Sequence, residues 1–272
     1  MITRRATLLN TLALGFAATA HAAPLDEIKK RGTMTVATED DYQPFEFTKD
    51  GTPTGYDQEL LEAMGKKLPF KVKQDIIPWT GILPGVTTGK YDAAITAILV
   101  TAERMKTLDF CSPVAQSVNY TMKRKGDARI AGIKDMDGKS IGVEAGSAML
   151  KLLPQLEEML KPTGGKLGKV VTYQGYPEAY QDLANGRLDT VVNTSLSLAS
   201  IVAAKPDVFE IGQAVSKPTY IAWAVQKGNT GLRDLVNEFL LGARKDGSMY
   251  ALQEKWFKTS FKDMPEEPSA IA

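Results

Sequence analysis

The sequence predicts an α/β fold in which helices cover parallel sheets, and the chain is long enough for two lobes. Segments with helical and with strand-like patterns alternate along most of the 272 residues, as expected for such sheets. A helix–glycine–strand pattern occurs at residues 89–96 and again 97 positions later, at residues 186–193. The roughly 250 residues that follow a predicted leader are enough for two domains of ordinary size.

The leader is predicted from the first residues of the chain. Arginines at positions 4 and 5 precede an apolar run that ends in the triplet Ala-His-Ala at 20–22. This order is typical of a cleavable signal peptide, and the run is shorter than the roughly 20 residues of a membrane-spanning helix. We expect residues 1–22 to be removed near Ala22 and the mature protein to reach the periplasm. The arginine pair leaves both the general and the twin-arginine export routes open.

The histidine and cysteine content argues against several kinds of site. The only histidine, His21, lies in the predicted leader, and the only cysteine is Cys111. The mature chain therefore has no histidine for a catalytic triad or a metal site, and it has no cysteine pair for a disulfide or a zinc site. We expect no metal and no cofactor.

The charge balance bears on the class of partner. Removing the two leader arginines changes the formal net charge from +1 to −1. No basic stripe interleaved with aromatic residues occurs in the chain. We therefore expect no nucleic-acid partner.

Each copy of the repeated pattern predicts a helix followed by a buried strand. Gly89 and Gly186 suit a left-handed helix end, and a short apolar run follows each of them. Further strands are predicted at Thr33–Thr38, Lys71–Ile76, Ser140–Glu144 and Val170–Tyr173. Helices are predicted at Gln58–Lys67, Gly81–Thr88, Ala148–Leu160, Pro177–Asn185, Leu232–Lys245 and Tyr250–Phe257. On this pattern alone, one large doubly wound domain stays open as an alternative to two lobes.

Ten short motifs occur in a fixed order along the mature chain. They are Gly32–Ala37, Asp41–Phe47, Gly55–Asp57, Gly89–Asp92, Thr101–Arg104, Asp109–Pro113, Asp137–Val143, Gly146–Ser147, Gly186–Asp189, and Asp246–Ser248 before Lys255 and Trp256. In this order they resemble the periplasmic polar amino-acid binding proteins of ABC importers. The resemblance implies the type II periplasmic binding protein-like fold, with two doubly wound α/β lobes joined by a two-segment hinge. A solute is held in the cleft and the lobes close around it.

The resemblance also implies a division of the chain and a function. Residues 23–117 with 220–272 are expected to form lobe one, and residues 118–219 lobe two, with the hinge near 117–120 and 216–220. The expected ligand is an amino acid or a related small carboxylate, the expected partner is an inner-membrane ABC permease, and the protein is expected to be a monomer without enzymatic activity. Two alternatives are a periplasmic dehydratase-like enzyme on the same fold and a sensory binding protein that docks on a chemoreceptor.

The same resemblance implies which residues bind the solute. Arg104 is expected to hold a carboxylate, because a guanidinium presents a planar fork of donors. Gly146 and Ser147 open a predicted helix whose N–H groups attract anions. The alternative is that Ser147 is a plain helix cap, and both roles can hold at once. Tyr42 and Trp79 are candidate aromatic walls. The predicted ligand-binding set is Tyr42, Trp79, Ala97, Leu99, Arg104, Gly146, Ser147, Asn193 and Thr194.

Two departures from the family pattern concern the ammonium group of an amino acid. The family commonly has an aspartate where this chain has Asn193 and Thr194, and no Asp or Glu occurs in residues 190–205. Leu99 replaces a usual Ser or Thr. We hypothesise an atypical ammonium subsite and a solute that is a weakly bound amino acid, a derivatised one or another organic acid, unless Glu46 or another distant carboxylate supplies the charge. The missing carboxylate also argues against a dehydratase, which requires a proton donor in its cleft.

Six other motif residues are expected to be structural. Phe45, Phe47 and Tyr56 are expected in the core, Asp57 is expected to cap a helix, and Asp92 and Asp189 are assigned structural roles.

Overall fold

The computed structural model describes residues 24–270, and the predicted leader lies outside them. The strands are β1 (Thr33–Glu39), β2 (Phe47–Lys49), β3 (Thr52–Thr54), β4 (Lys71–Ile77), β5 (Ala93–Ala94), β6 (Leu108–Phe110), β7 (Ala115–Ser117), β8 (Asn119–Arg124), β9 (Ile141–Glu144), β10 (Val170–Tyr173), β11 (Thr190–Thr194), β12 (Phe209–Ala214), β13 (Thr219–Ile221) and β14 (Ala224–Gln226).

The helices lie between these strands and after the last of them. The α-helices are α1 (Leu25–Arg31), α2 (Tyr56–Gly65), α3 (Trp79–Thr87), α4 (Ala148–Leu160), α5 (Tyr176–Ala184), α6 (Ser195–Ala204), α7 (Thr230–Lys245) and α8 (Ser248–Phe257). Short 3₁₀ helices are found at Arg104–Lys106, Ile133–Met136 and Lys161–Thr163. Within the described residues, no helix has both the length and the apolar character that a membrane span requires.

Each lobe is built on a five-stranded sheet. The first lobe has the strand order β4-β1-β5-β14-β6, and the second has β10-β9-β11-β8-β12. Strand β1 is parallel to β4 and β5, and β9 is parallel to β10 and β11. In contrast to the parallel sheets that the alternation predicts, β14 and β8 pair antiparallel with both of their neighbours. Each of these two strands enters its sheet directly from the other lobe, so no helical crossover constrains its direction.

Two short strands lie where the chain passes between the sheets. Strand β7 pairs antiparallel with β13, with Ser117 opposite Thr219. The chain enters the second sheet immediately after β7 and returns to the first immediately after β13. The predicted crossing segments fall in this region, and the boundary residues of the lobes stay a prediction.

The repeated glycines adopt the predicted backbone conformation. Gly89 and Gly186 both have φ of 76°, in the left-handed region that glycine enters without steric cost. Each follows a helix and precedes a strand that enters the core of its lobe. Of the other predicted elements, α4 and β10 have the predicted bounds.

The prediction that Asp57 caps a helix is wrong. Helix α2 begins at Tyr56, two residues before the predicted start, and Gly55 is its N-cap, so Asp57 lies inside the first turn. Its side chain is completely buried and accepts a hydrogen bond of 2.9 Å from Trp223 Nε1. A Cβ atom at Gly55 would lie 2.3 Å from the carbonyl oxygen of Phe45, and this close approach of the backbone directs Asp57 into the core.

The other predicted structural residues have structural contacts. Phe45 and Tyr56 have no exposed surface, and Phe47 is partly buried. Asp92 joins β1 to α1, because its carboxylate accepts hydrogen bonds from Arg31 Nη2 at 2.5 Å and from the backbone N–H of Thr35 at 2.7 Å. Asp189 accepts hydrogen bonds from the N–H and the hydroxyl of Ser140.

Candidate ligand-binding cleft

A small cavity lies between the two lobes at the carboxyl ends of β1 and β9. Its lining residues are Glu39, Tyr42, Trp79, Ala97, Leu99, Arg104, Glu144, Ser147, Ala148 and Met149. Open α/β sheets bind solutes outside the carboxyl ends of their strands. The cavity volume is about 10 Å³, enough for about one water molecule. A solute larger than a water molecule therefore enters this cavity only when the lobes move apart.

Six of the nine predicted ligand-binding residues line this cavity: Tyr42, Trp79, Ala97, Leu99, Arg104 and Ser147. Gly146 lies beside it, because a Cβ atom there would be 3.8 Å from Trp79 Nε1. Asn193 and Thr194 do not line the cavity but contact Tyr42. The lining residues that the sequence prediction did not include are Glu39, Glu144, Ala148 and Met149.

Arg104 is held in place on the first-lobe side of the cavity. Its backbone N–H donates to Thr101 Oγ1 at 3.2 Å and its Nη1 donates to the carbonyl oxygen of Leu99 at 3.0 Å. The guanidinium carbon lies 5.0 Å from the centre of the Trp79 ring, a cation–π distance. Burial lowers the pKa of Arg104 to about 10, so the side chain stays charged at neutral pH. It is a partly buried, oriented cation, and its guanidinium has further N–H donors beyond the one bound to Leu99.

Ser147 is the N-cap of α4, which confirms the helix-cap interpretation. Its Oγ accepts a hydrogen bond from the N–H of Leu150 at 3.2 Å and donates to the carbonyl oxygen of Glu144 at 2.8 Å. The hydroxyl proton is therefore already used. The first turn of α4, which includes Ala148 and Met149, lines the cavity. Unpaired N–H groups at a helix start favour an anion, so the backbone is the donor group at this point.

Tyr42 combines an aromatic wall with a contact between the lobes. Its ring lies between the rings of Phe45 and Tyr176, with both centroid distances at 5.8 Å. Its hydroxyl donates to Asn193 Oδ1 at 2.6 Å and lies 3.2 Å from Thr194 Oγ1. Since Asn193 and Thr194 belong to β11 of the second lobe, these contacts exist only when the lobes are closed.

Comparison of the sequence and the fold with those of known proteins identifies the family to which this two-lobed chain belongs. Residues 34–259 match the bacterial extracellular solute-binding proteins, family 3. The chain belongs to this family. The L-cystine-binding protein TcyJ of Escherichia coli is 32% identical over 236 residues, which cover 86% of this chain and 85% of the relative.

Two solved structures are also similar to this family 3 protein. One is an ancestral arginine-binding protein bound to arginine, 33% identical with a TM-score of 0.73, covering 84% of this chain and 99% of the other. The second is the ancestral amino acid-binding protein AncCDT-1, described as a precursor of cyclohexadienyl dehydratase. It is 32% identical with a TM-score of 0.74, covering 85% of this chain and 98% of the other. The two-lobed fold predicted from the sequence is thereby confirmed.

In this solute-binding protein, the polar groups of Asn193 and Thr194 are engaged within the protein. Asn193 Nδ2 donates to the hydroxyl of Tyr180 at 2.8 Å. Thr194 caps α6, since its Oγ1 accepts from the N–H of Ser197 at 3.4 Å. Both residues are neutral, so the end of β11 presents no carboxylate to a solute.

Glu46, which the sequence hypothesis named as another source of negative charge, does not line the cavity. It is buried, and its Oε1 accepts a hydrogen bond from the hydroxyl of Thr96 and one of 3.4 Å from the N–H of Ala97. Burial, followed by the charge of Asp57, raises the pKa of Glu46. This pair belongs to the core of the first lobe.

The carboxyl groups that reach the cavity are those of Glu39 and Glu144. Each is the last residue of its strand, and relative exposures are 5% for Glu39 and 2% for Glu144. Burial is the main cause that raises the pKa of both groups. Both residues could have been predicted from the sequence, because the carboxyl end of a buried parallel strand is a usual binding position in α/β sheets.

Proposed function

We propose that the protein is the periplasmic solute-binding component of an ABC importer and captures an amino acid or a related small carboxylate between its lobes. The observation that carries the proposal is Arg104, an oriented and partly buried guanidinium in a cavity that the start of α4 also lines. These two groups complement one carboxylate from opposite lobes. A solute that bridges them stabilises the closed arrangement.

The nature of the solute follows from the family and from the site. The curated relative is named for L-cystine and one solved neighbour contains arginine, which supports an amino acid. The ammonium subsite is atypical, because Asn193 and Thr194 replace the carboxylate expected there and Leu99 adds an apolar surface to the cavity. The proposal includes an inner-membrane ABC permease as partner, export through the predicted leader and a monomeric protein.

Binding rather than catalysis is the proposed activity. Glu39 and Glu144 place carboxyl groups in the cavity, so the lack of Asp and Glu in residues 190–205 does not by itself argue against a proton donor. The relatives support binding, since even the neighbour related to a dehydratase is an amino acid-binding precursor of that enzyme. A solute that is bound and released unchanged is the expected outcome.

The decisive experiment identifies the solute. Protein purified without exposure to added amino acids is mildly denatured, and the released small molecules are analysed by mass spectrometry. A thermal-shift panel then compares L-cystine, L-arginine, the other protein L-amino acids and succinate, because a bound solute raises the apparent stability by mass action. We expect an amino acid to raise the unfolding midpoint of the wild type and to have little effect on Arg104→Ala. Failure of every compound to shift the midpoint, with no solute released, would refute the proposal.

A further inference from the structure

Another cavity lies where the chain crosses between the lobes, outside the cavity that contains Arg104. Its volume is about 270 Å³, which is large enough for several water molecules or a small organic molecule while the lobes are closed. The lining includes residues 99–101 of the first lobe, Ala148 and Leu152 of α4, Asn119 at the start of β8, and residues 216–219 before and at the start of β13. We call this cavity the hinge pocket.

Asn119 brings an unsatisfied amide group to the hinge pocket. The residue has no exposed surface, and neither Oδ1 nor Nδ2 has a hydrogen-bond partner among the described residues. Its backbone, in contrast, is fully paired, because its N–H donates to Ser216 Oγ at 2.9 Å and its carbonyl oxygen accepts from the N–H of Val215 at 2.8 Å. Burying a donor and an acceptor without partners is unfavourable and calls for an explanation.

The hydroxyl groups around the pocket do not supply the missing partners. Ser216 Oγ donates to the carbonyl oxygen of Lys217 at 2.8 Å. Thr219 Oγ1 donates to the carbonyl oxygen of Val100 at 3.2 Å. Since both hydroxyl protons are used elsewhere, the amide of Asn119 is left to pair with whatever occupies the pocket.

The lining selects a chemical class of occupant. Leu99, Leu152 and Pro218 give the pocket apolar walls, and Asn119 adds a carbonyl acceptor next to N–H donors. A primary carboxamide complements such a group with two hydrogen bonds, because it has the same acceptor and donors. A carboxylate has no donor for Oδ1 and complements it less well. The pocket therefore fits a carboxamide with a short apolar chain.

We infer that the hinge pocket is a second ligand-binding site, which takes a small primary carboxamide and favours the closed arrangement of the lobes. Leu99 and Ala148 line both cavities and lie between the two sites. An occupant of the hinge pocket contacts both lobes, so it binds the closed arrangement better than the open one. By linkage, this occupant and the solute in the cleft strengthen each other's binding. The coupling rests on the proposed function, whereas the site itself does not.

The first test uses butanamide as the probe and butanoate, which has the same shape but no amide donor, as the control ligand. Binding to the purified wild type at pH 7 is followed by saturation-transfer NMR and quantified by titration of backbone amide shifts. We expect butanamide to bind with a dissociation constant of roughly millimolar order, as suits so small a molecule, and butanoate to bind at least tenfold more weakly. No binding of butanamide would leave water as the occupant and refute the inference. Equal binding of butanoate would refute the selectivity for an amide.

The second test locates the probe. Asn119→Leu removes both amide atoms at nearly constant volume and should weaken butanamide binding at least tenfold. Because it also removes two unsatisfied polar atoms, its urea midpoint should equal or exceed that of the wild type. Asn185→Leu is the matched control, since Asn185 is exposed and does not line the pocket. Leu152→Trp, which fills the pocket from α4 and keeps Asn119, should also block binding. Binding within twofold of the wild type in folded Asn119→Leu and Leu152→Trp would place butanamide elsewhere and refute the site.

The third test measures the coupling. Calorimetric titration with the amino acid that most stabilises the wild type is carried out with and without saturating butanamide. We expect butanamide to raise the affinity for the amino acid at least twofold in the wild type and to have no effect in Asn119→Leu. An unchanged wild-type affinity would refute the coupling, and a lower one would show that butanamide occupies the cleft instead. If no amino acid binds the wild type, the proposed function fails and the coupling with it, while the NMR result still decides whether the hinge pocket is a site.

Discussion

Replacing Arg104 gives the most direct test of the carboxylate subsite. A hydrogen bond to a charged group contributes about 1.5–3 kcal/mol, and a guanidinium that binds a carboxylate in bidentate fashion forms two of them. The loss is then about 3–6 kcal/mol, or roughly a hundredfold to ten-thousandfold in affinity. Arg104→Ala should therefore weaken solute binding at least a hundredfold. Arg104→Lys keeps the charge but loses the fork and the stacking on Trp79, so we expect an intermediate loss of about ten- to a hundredfold.

The assay is isothermal titration calorimetry with the amino acid that most stabilises the wild type. Lys106→Ala serves as the control, since Lys106 is exposed and lies on the same 3₁₀ turn as Arg104. It should bind like the wild type. The reasoning is refuted if folded Arg104→Ala binds within threefold of the wild type, because the guanidinium would then make no contact with the solute.

Three further changes have defined outcomes. Tyr42→Phe removes the hydroxyl that reaches Asn193, so stopped-flow measurements should show faster solute release and an affinity reduced by roughly two- to tenfold; an unchanged release rate would contradict this role. Burial raises the pKa of Asp57 to about 7, so its contribution to stability is complete below its ordinary pKa and is lost as the pH rises through 7. In urea unfolding, the free energy of unfolding of the wild type should be lower at pH 8 than at pH 5, and this difference should be smaller in Asp57→Asn. An equal difference in both proteins would contradict the role of Asp57. Gly55→Ala should destabilise the fold by about 2 kcal/mol or more, because φ is 123° and the new Cβ would meet the carbonyl oxygen of Phe45; an unchanged urea midpoint would show that the backbone adapts.

The regular elements were predictable because their signals are local. Helix α4 and strand β10 have the bounds that the periodicity of apolar residues predicts. Gly89 and Gly186 end their helices in the left-handed conformation that their positions indicate. Such features depend on the steric limits of a few neighbouring residues, so the sequence is sufficient.

Where a side chain has two competing sets of partners, the local sequence did not decide between them. Asp57 is a residue type that often caps helices, but here it is buried in the core. The close backbone contact at Gly55 makes Gly55 the N-cap and places Asp57 inside the helix. The hydroxyl of Ser147 is occupied by its own helix, which leaves the N–H groups of α4 as the donors. The partner of Asp57, Trp223, is distant in sequence, and the partners of the Ser147 hydroxyl are backbone groups.

The sequence by itself determined the α/β alternation, the family and the position of Arg104. The alternation follows from the local periodicity of apolar residues, and the other two follow from short motifs in a fixed order. Only the tertiary structure decided which groups share the cavity. Glu39 and Glu144 belong to separate lobes, and Tyr42 meets Asn193 across the same boundary. These contacts form where the two sheets pack against each other, and this packing has no counterpart in the periodicity of either strand.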